Sequence, residues 1–356
     1  MEPHTFVKRC SADRPRCAPR TEGSALVLVL WAIGLLSVLV VSMTFDAHVE
    51  SRITLWLRNR TKAQALTRSG MEIAELLLIK SDAMRQNRDM EEDRWYEPAK
   101  SLSEGLAVRN FKDALGDGTI TVDIVPEPAR RNVNRLQTDE DWERILDVGG
   151  ITEDLGLWPV LIDSFMDWLD RDDIPRMHGA ETEDYYALLD PPYRAKNGPL
   201  DTVEELLLIR GFNRAILFGG VLNPDDSEED RIVVSGIHDL LTVYGDGKVN
   251  VNAASRRVLM TLPGVDEFVA EAVLAERQGW TDEKGEQIDT SFESLADFFD
   301  RVPEADRATL QKHVTTHSQI FRITATGDVH GTVSRVWCIA QYVNRELTFL
   351  RWREDN

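Results

Sequence analysis

Oxygen-bearing side chains crowd one stretch of this chain. Asp170, Asp172 and Asp173 come first, and Glu181, Asp184 and Asn197 follow. The first three close a predicted helix whose apolar positions are Leu157, Leu161, Phe165, Trp168 and Leu169. Carboxylates gathered at a helix C-terminus meet the negative end of its dipole, so a bound cation would relieve them. Calcium suits the set, because it takes about six to eight oxygen ligands and tolerates irregular loops. The segment Ile174 to Pro199 is irregular, with four Pro, two Gly, and the tyrosines Tyr185, Tyr186 and Tyr193. A connection of that length inside a compact domain needs something to order it. Glu181 and Asp184 lie near enough in sequence to close a calcium site, and Asn197 would add an amide oxygen. A solvated acidic face is the competing reading. Zinc fits less well, since His178 beside Asp172 and Glu181 is a lone imidazole and zinc sites favour several His or Cys.

No constellation points to catalysis. The chain has no nucleophile elbow, phosphate loop or His-Glu-x-x-His, and its seven His share no spacing. Cys10 and Cys17 lie near the N-terminus and Cys338 sits in an apolar strand pattern. No disulfide framework results, and Cys338 reads as a core residue. A formal charge of −20 repels nucleic acid and anionic lipid. One motif pulls the other way. Glu143–Ile151, Val203–Phe212 and Arg257–Val265 read as weak copies of one hairpin, capped by Asn such as Asn132 and Asn250 and broken by Gly. Leu262-Pro263-Gly264-Val265 resembles the helix-hairpin-helix of DNA-binding proteins. That motif needs a second Gly so that backbone N–H groups at a helix start can meet a phosphate. Here Asp266-Glu267 take that place, so a membrane-anchored DNA-binding protein is the rival reading and not the leading one.

The elements that must hold the acidic loop are laid out around it. Ser24 to Phe45 is a run of 22 residues without a charge. At about 1.5 Å per residue it spans a bilayer core of about 30 Å. Lys8, Arg9, Arg14, Arg16 and Arg20 precede it, while Asp46 and Glu50 follow. The positive-inside rule therefore places the N-terminus in the cytoplasm and everything past Phe45 outside. Ile53, Leu57, Leu66, Ile73, Leu76 and Leu77 continue near helical spacing. One helix from Ser24 to about Ile79 is predicted, about 85 Å long. Thr119–Val125 alternates as a strand, and Ile320–Thr326, Val333–Val343 and Leu347–Trp352 do so at the far end. The fold class is α+β: a long N-terminal transmembrane helix, a small antiparallel sheet, and a large, mostly helical insert with helix-hairpin-helix-like units.

The apolar run is entered through Arg20-Thr21-Glu22-Gly23, then Ser24-Ala25-Leu26. A basic leader, a Gly and an uncut apolar helix resemble the class III leader of type IV pilins and pseudopilins. The helix and small sheet resemble the pseudopilin plan, and the insert resembles one family within it, the type II secretion minor pseudopilin K. Asp167-Trp168-Leu169-Asp170-Arg171-Asp172-Asp173, Gly179-Ala180-Glu181, Pro191-Pro192-Tyr193, Glu204-Glu205-Leu206 and Val249-Asn250-Val251-Asn252-Ala253-Ala254 carry that likeness. It implies a leader over 1–23, cut after Gly23 by prepilin peptidase with methylation of Ser24, and a transmembrane helix over 24–45. It further implies a pseudopilin domain built from 46–128 and 316–356, and an inserted helical domain over 129–315. The protein would be non-enzymatic, single-pass in the inner membrane, and periplasmic in its C-terminal domain. Its partners would be the minor pseudopilins I and J and other pseudopilus subunits, with no nucleic acid; it would sit at the pseudopilus tip and help start assembly. That family's helical domain carries calcium, which points to the same acidic loop. Leu28 stands at the fifth mature position, where most pilins have Glu; the K family resembles this chain in lacking it, and a carboxylate in a bilayer is costly without a partner.

Overall fold

The computed structural model describes residues 22–86, 88, 92–223, 231–277, 280–281, 287–288 and 291–355. Most of the expected leader, residues 1–21, lies outside them. Gly23 and Ser24 fall in the first turn of α1 (Glu22–Arg85), a helix of 64 residues. It outruns the predicted helix at both ends. Among the described residues α1 alone is long and apolar enough to cross a membrane. One compact unit ends at Arg58, and a second begins at Asn59. In the first unit the apolar side chains from Leu26 to Phe45 are all exposed, as a lipid-facing surface requires.

The second unit has two cores. One lies between α1 and a five-stranded antiparallel sheet in the order β1 (Val108–Leu115), β2 (Gly118–Pro126), β3 (Ile320–Val329), β4 (Thr332–Val343) and β5 (Glu346–Asp355). Leu66, Ala74 and Leu77 of α1 pack on Ile120, Val122, Ile124, Ile323, Ala325 and Cys338. The helix and sheet approach closely because two glycines stand in the contact. A Cβ on Gly70 would lie 2.9 Å from that of Ala325, and one on Gly327 would lie 2.3 Å from the Ala63 carbonyl. The Gly327 amide donates to Thr67 Oγ1 at 3.1 Å. Gly327 therefore lies inside β3, which runs past the predicted strand Ile320–Thr326. The chain turns three residues later, at His330-Gly331, where both φ angles are positive. Cys338 is a core residue, and burial pushes its thiol up to about 12.

The other core belongs to the insert between β2 and β3, and centres on Trp142, Phe165 and Phe212. Its helices, like α2 (Tyr96–Ser103) ahead of the sheet, are short: α3 (Asp139–Val148), α4 (Trp158–Leu169), α5 (Arg214–Phe218), α6 (Arg256–Met260), α7 (Glu267–Arg277), α8 (Leu295–Arg301) and α9 (Arg307–Leu310). The three hairpin copies are unequal. Val203–Leu208 is a 3-10 helix, and α6 is capped by Ser255, not by Asn250. Asn250 and Asn252 are instead buried ties. Asn250 donates to the Gly105 carbonyl and Ser318 Oγ, and Asn252 to the carbonyls of Glu104, Phe292 and Thr316. The seam between insert and sheet closes on Glu127, which is fully buried. Arg322 of β3 donates to both its oxygens, at 3.0 and 3.1 Å, and Thr242 donates at 2.7 Å. Burial alone would raise this carboxyl; Arg322, Arg130 and Thr242 overrule it and hold the carboxyl below its ordinary range.

Candidate metal centre

The acidic loop hangs from α4. Pro159 in its first turn presets the helical φ, and Leu161, Phe165 and Trp168 face the core. Asp163 and Asp167, one turn apart, turn toward the loop. The Asp163 carboxylate accepts from the His178 amide at 3.1 Å. Asp167 is fully buried and accepts from the amides of Arg176 at 3.1 Å and Ala180 at 2.8 Å. A Cβ on Gly179 would fall 1.8 Å from Asp167 Oδ2, so the loop passes the carboxylate with no room for a side chain. Behind it the tyrosines form a platform. Tyr186 is fully buried, with ring centroids 5.2 Å from Trp168 and 5.3 Å from Tyr193.

On this frame Asp170 is the C-cap of α4, and Glu181 and Asn197 come in from the loop. Asp170 Oδ1, both Glu181 carboxylate oxygens and Asn197 Oδ1 are buried without a hydrogen-bond donor among the described residues. Burial first, and then the negative charges of Asp167, Asp170 and Asp173, push Glu181 up to about 7. Burial also raises Asp170, with Asp172 adding to it, and raises Asp167 against its two amide donors. Asn197 sits at φ 48° and spends its Nδ2 on the Asp172 carbonyl at 2.9 Å and Asp173 Oδ1 at 3.1 Å, leaving its own oxygen turned the other way.

Buried acceptors left without donors cost about 1–3 kcal/mol each, and more when charged. Four such oxygens on three residues, with further carboxylates raising their potential, form a place a cation would stabilise. The other expected ligands differ. Asp172 Oδ1 accepts from the Ile174 amide at 3.0 Å and Asp184 Oδ1 from the Glu181 amide at 2.9 Å, so both shape the loop. Asp173 is tied to Asn197. Among the described residues no three His, Cys, Asp or Glu side chains stand close enough to hold a metal by themselves. The donors that fit are two carboxylates and an amide, an all-oxygen set completed by backbone carbonyls or water, which suits calcium and not zinc. His178 lies with Asp163 at 3.3 Å and is exposed. The sequence reading passed over Asp167; its spacing of three from Asp170 was the available signal.

The helix-hairpin-helix reading fails on geometry. Asp266 Oδ1 accepts from the Val269 amide at 2.9 Å, so the start of α7 is capped by the chain's own carboxylate where a phosphate would bind, and Glu267 pairs with Arg256.

The family model described as "Type II secretion system (T2SS), protein K" matches residues 129–218, the segment that contains α3, α4 and the acidic loop. That segment is similar to a domain of protein K. The match bears out the resemblance read from the motifs. Type II secretion system protein K of Klebsiella pneumoniae is 29% identical over 209 residues, covering 55% of this chain and 60% of that protein. The chain spans about three-fifths of the curated protein K relatives it matches. In fold it is similar to a chain of the GspK-GspI-GspJ complex from the enterotoxigenic Escherichia coli type 2 secretion system. The TM-score is 0.53 at 14% identity, over 87% of this chain and 99% of that one.

Proposed function

We propose that this chain is a minor pseudopilin of a type II secretion system. It is anchored in the inner membrane by the first half of α1, with the remainder in the periplasm. Prepilin peptidase cuts it after Gly23 and methylates Ser24. It joins the minor pseudopilins I and J at the tip of the pseudopilus and helps start assembly for export across the outer membrane. Its role is structural, not catalytic. The observation that carries this reading is a segment similar to a domain of protein K, inserted between the strands of a small sheet that packs on a long apolar N-terminal helix. The test is co-purification of the detergent-solubilised chain with I and J from cells making all three. Recovery of a ternary complex supports the role, and its absence in a secretion-competent background overturns it.

The acidic loop holds calcium, with Asp170, Glu181 and Asn197 as ligands and Asp167, Asp172, Asp173 and Asp184 shaping the charge around them. The four donorless buried oxygens support this assignment. A ligand that binds only the folded state raises its apparent stability by mass action. Millimolar calcium added after EGTA is therefore expected to raise the melting temperature, with millimolar magnesium doing less. Equal responses, or none, would leave the loop a solvated acidic surface.

A further inference from the structure

β5 ends the sheet, and its outer edge has no backbone partner among the described residues. Its two faces differ in kind. Arg351 and Arg353 pair across the sheet with Ile339 and Trp337, so they share the face turned away from α1. Phe349 and Trp352 pair with Ala340 and Cys338 on the other face; they are 48% and 43% exposed, with ring centroids 5.2 Å apart. The basic face borders a crevice of about 390 Å³ lined by four arginines and two glutamates, in a protein whose net charge is −20. Both glutamates are engaged, Glu127 by Arg322 and Arg130, and Glu204 by His238. Arg351 stacks on Trp337 at 5.7 Å. Arg351 has no carboxylate at ion-pair distance among the described residues, while Arg353 is paired with Asp355 of its own strand at 3.1 Å, a contact that an acidic guest residue would share or displace.

A free edge strand is a template for another strand, and proteins commonly guard such edges with charge. Arg351 and Arg353 alone would read as guards. Two exposed aromatic rings on the opposite face do the reverse, because they reward an incoming apolar side chain. We propose that β5 is an acceptor strand, which takes an extended segment of another protein as a sixth strand. That segment alternates acidic and apolar residues. Backbone pairing supplies affinity in this mode, and the alternating side chains supply the choice of partner. Acidic residues of the guest face Arg351 and Arg353, while its apolar residues cover Phe349 and Trp352. A second copy of this chain is a poor guest. Antiparallel self-pairing about Leu350 and Arg351 sets Glu346 against Asp355, and like charges directly opposite are unfavourable.

The test uses the full chain in detergent and dye-labelled, end-blocked octapeptides of alternating Glu and Val or alternating Lys and Val, read by fluorescence anisotropy at low salt. The Glu peptide is expected to bind at least about tenfold more tightly than the Lys peptide, since charge complementarity sets partner choice. The order is expected to invert in Arg351→Glu plus Arg353→Glu. Two N-methylated forms of the Glu peptide test strand addition on the unaltered protein, so the outcome does not depend on that variant folding. Methylating one alternate set of amides should abolish binding, and methylating the other should spare it. No binding of the Glu peptide at millimolar concentration overturns the proposal. Equal binding of both methylated forms does so too, because it marks a charged surface without strand pairing.

Discussion

Glu181 and Glu127 are both buried carboxylates, and their surroundings push them in opposite directions. Glu181 is raised from 4.5 to about 7 by burial and by Asp167, Asp170 and Asp173. Its contribution to stability is thus full below about 4.5 and lost as the pH rises through about 7. In the cation-free protein, Glu181→Gln should raise stability at pH 8 by roughly 2–3 kcal/mol. The same change should abolish the calcium-induced rise in melting temperature. Thermal melts in EGTA and in calcium at pH 5, 6.5 and 8 check both halves; a variant less stable than its parent in EGTA at pH 8 would contradict the buried charge. Calcium must also displace the proton, so its effect should fade below about pH 7. Glu127 is held low, so its contribution is present above its ordinary 4.5 and lost as the pH falls through its depressed value. Glu127→Gln leaves buried arginine charge uncompensated and should cost about 3 kcal/mol at neutral pH. Urea unfolding followed from pH 7 to pH 3 should show the acid-side loss in the parent and a flatter curve in the variant.

At the scale of elements, α1 and the sheet are joined where a Cβ does not fit. Gly327→Ala meets backbone atoms of Ala63 and Thr67, which cannot swing aside, and should cost about 2–3 kcal/mol. Gly70→Ala meets side-chain carbons and gains about 1 kcal/mol of helix propensity, so it should cost less. Denaturant midpoints of the two variants would reverse this order if the contact were loose. The same elements show what could be read from the residues. α1 and strands β2 to β5 were legible, because uncharged length and period-two alternation are strong signals. β1 was not, since Val108–Leu115 is a polar edge strand, mostly exposed and bulged around Asn110 at φ 53°. Within the insert, 3-10 turns and two-residue bridges such as Arg131–Asn132 with Leu241–Thr242 leave no periodicity to detect. Asp170, Glu181 and Asn197 were legible as a group of oxygen donors. Asp167 had only its spacing of three before Asp170 to mark it, because its partners are the amides of Arg176 and Ala180, which any sequence would supply.

For the whole molecule, the absence of a charge at Leu28 is the feature with a functional test. An unpaired carboxylate costs about 2.5–3.5 kcal/mol at the centre of a transmembrane helix, and less at Leu28, which lies near the start of the apolar run. Leu28→Glu should therefore bring no gain in secretion and should slow the start of pseudopilus assembly. A secretion assay in which export depends on that carboxylate would remove the case for a tip position. The seam on Glu127 also has a consequence in time. Glu127 and Arg322 are 195 positions apart, and β2 pairs with β3 across that whole interval. Such a pairing forms slowly, because a long intervening chain must be gathered before any contact rewards it. The contacts of the insert are closer in sequence, so its core condenses first and shortens the effective loop between β2 and β3. The sheet then closes last, around a domain already made. In pulse-labelled hydrogen exchange the amides around Trp142 and Phe165 would be protected before those of Ile124 and Ile323, so the part of the chain that looks like an addition is the part that lets the rest assemble.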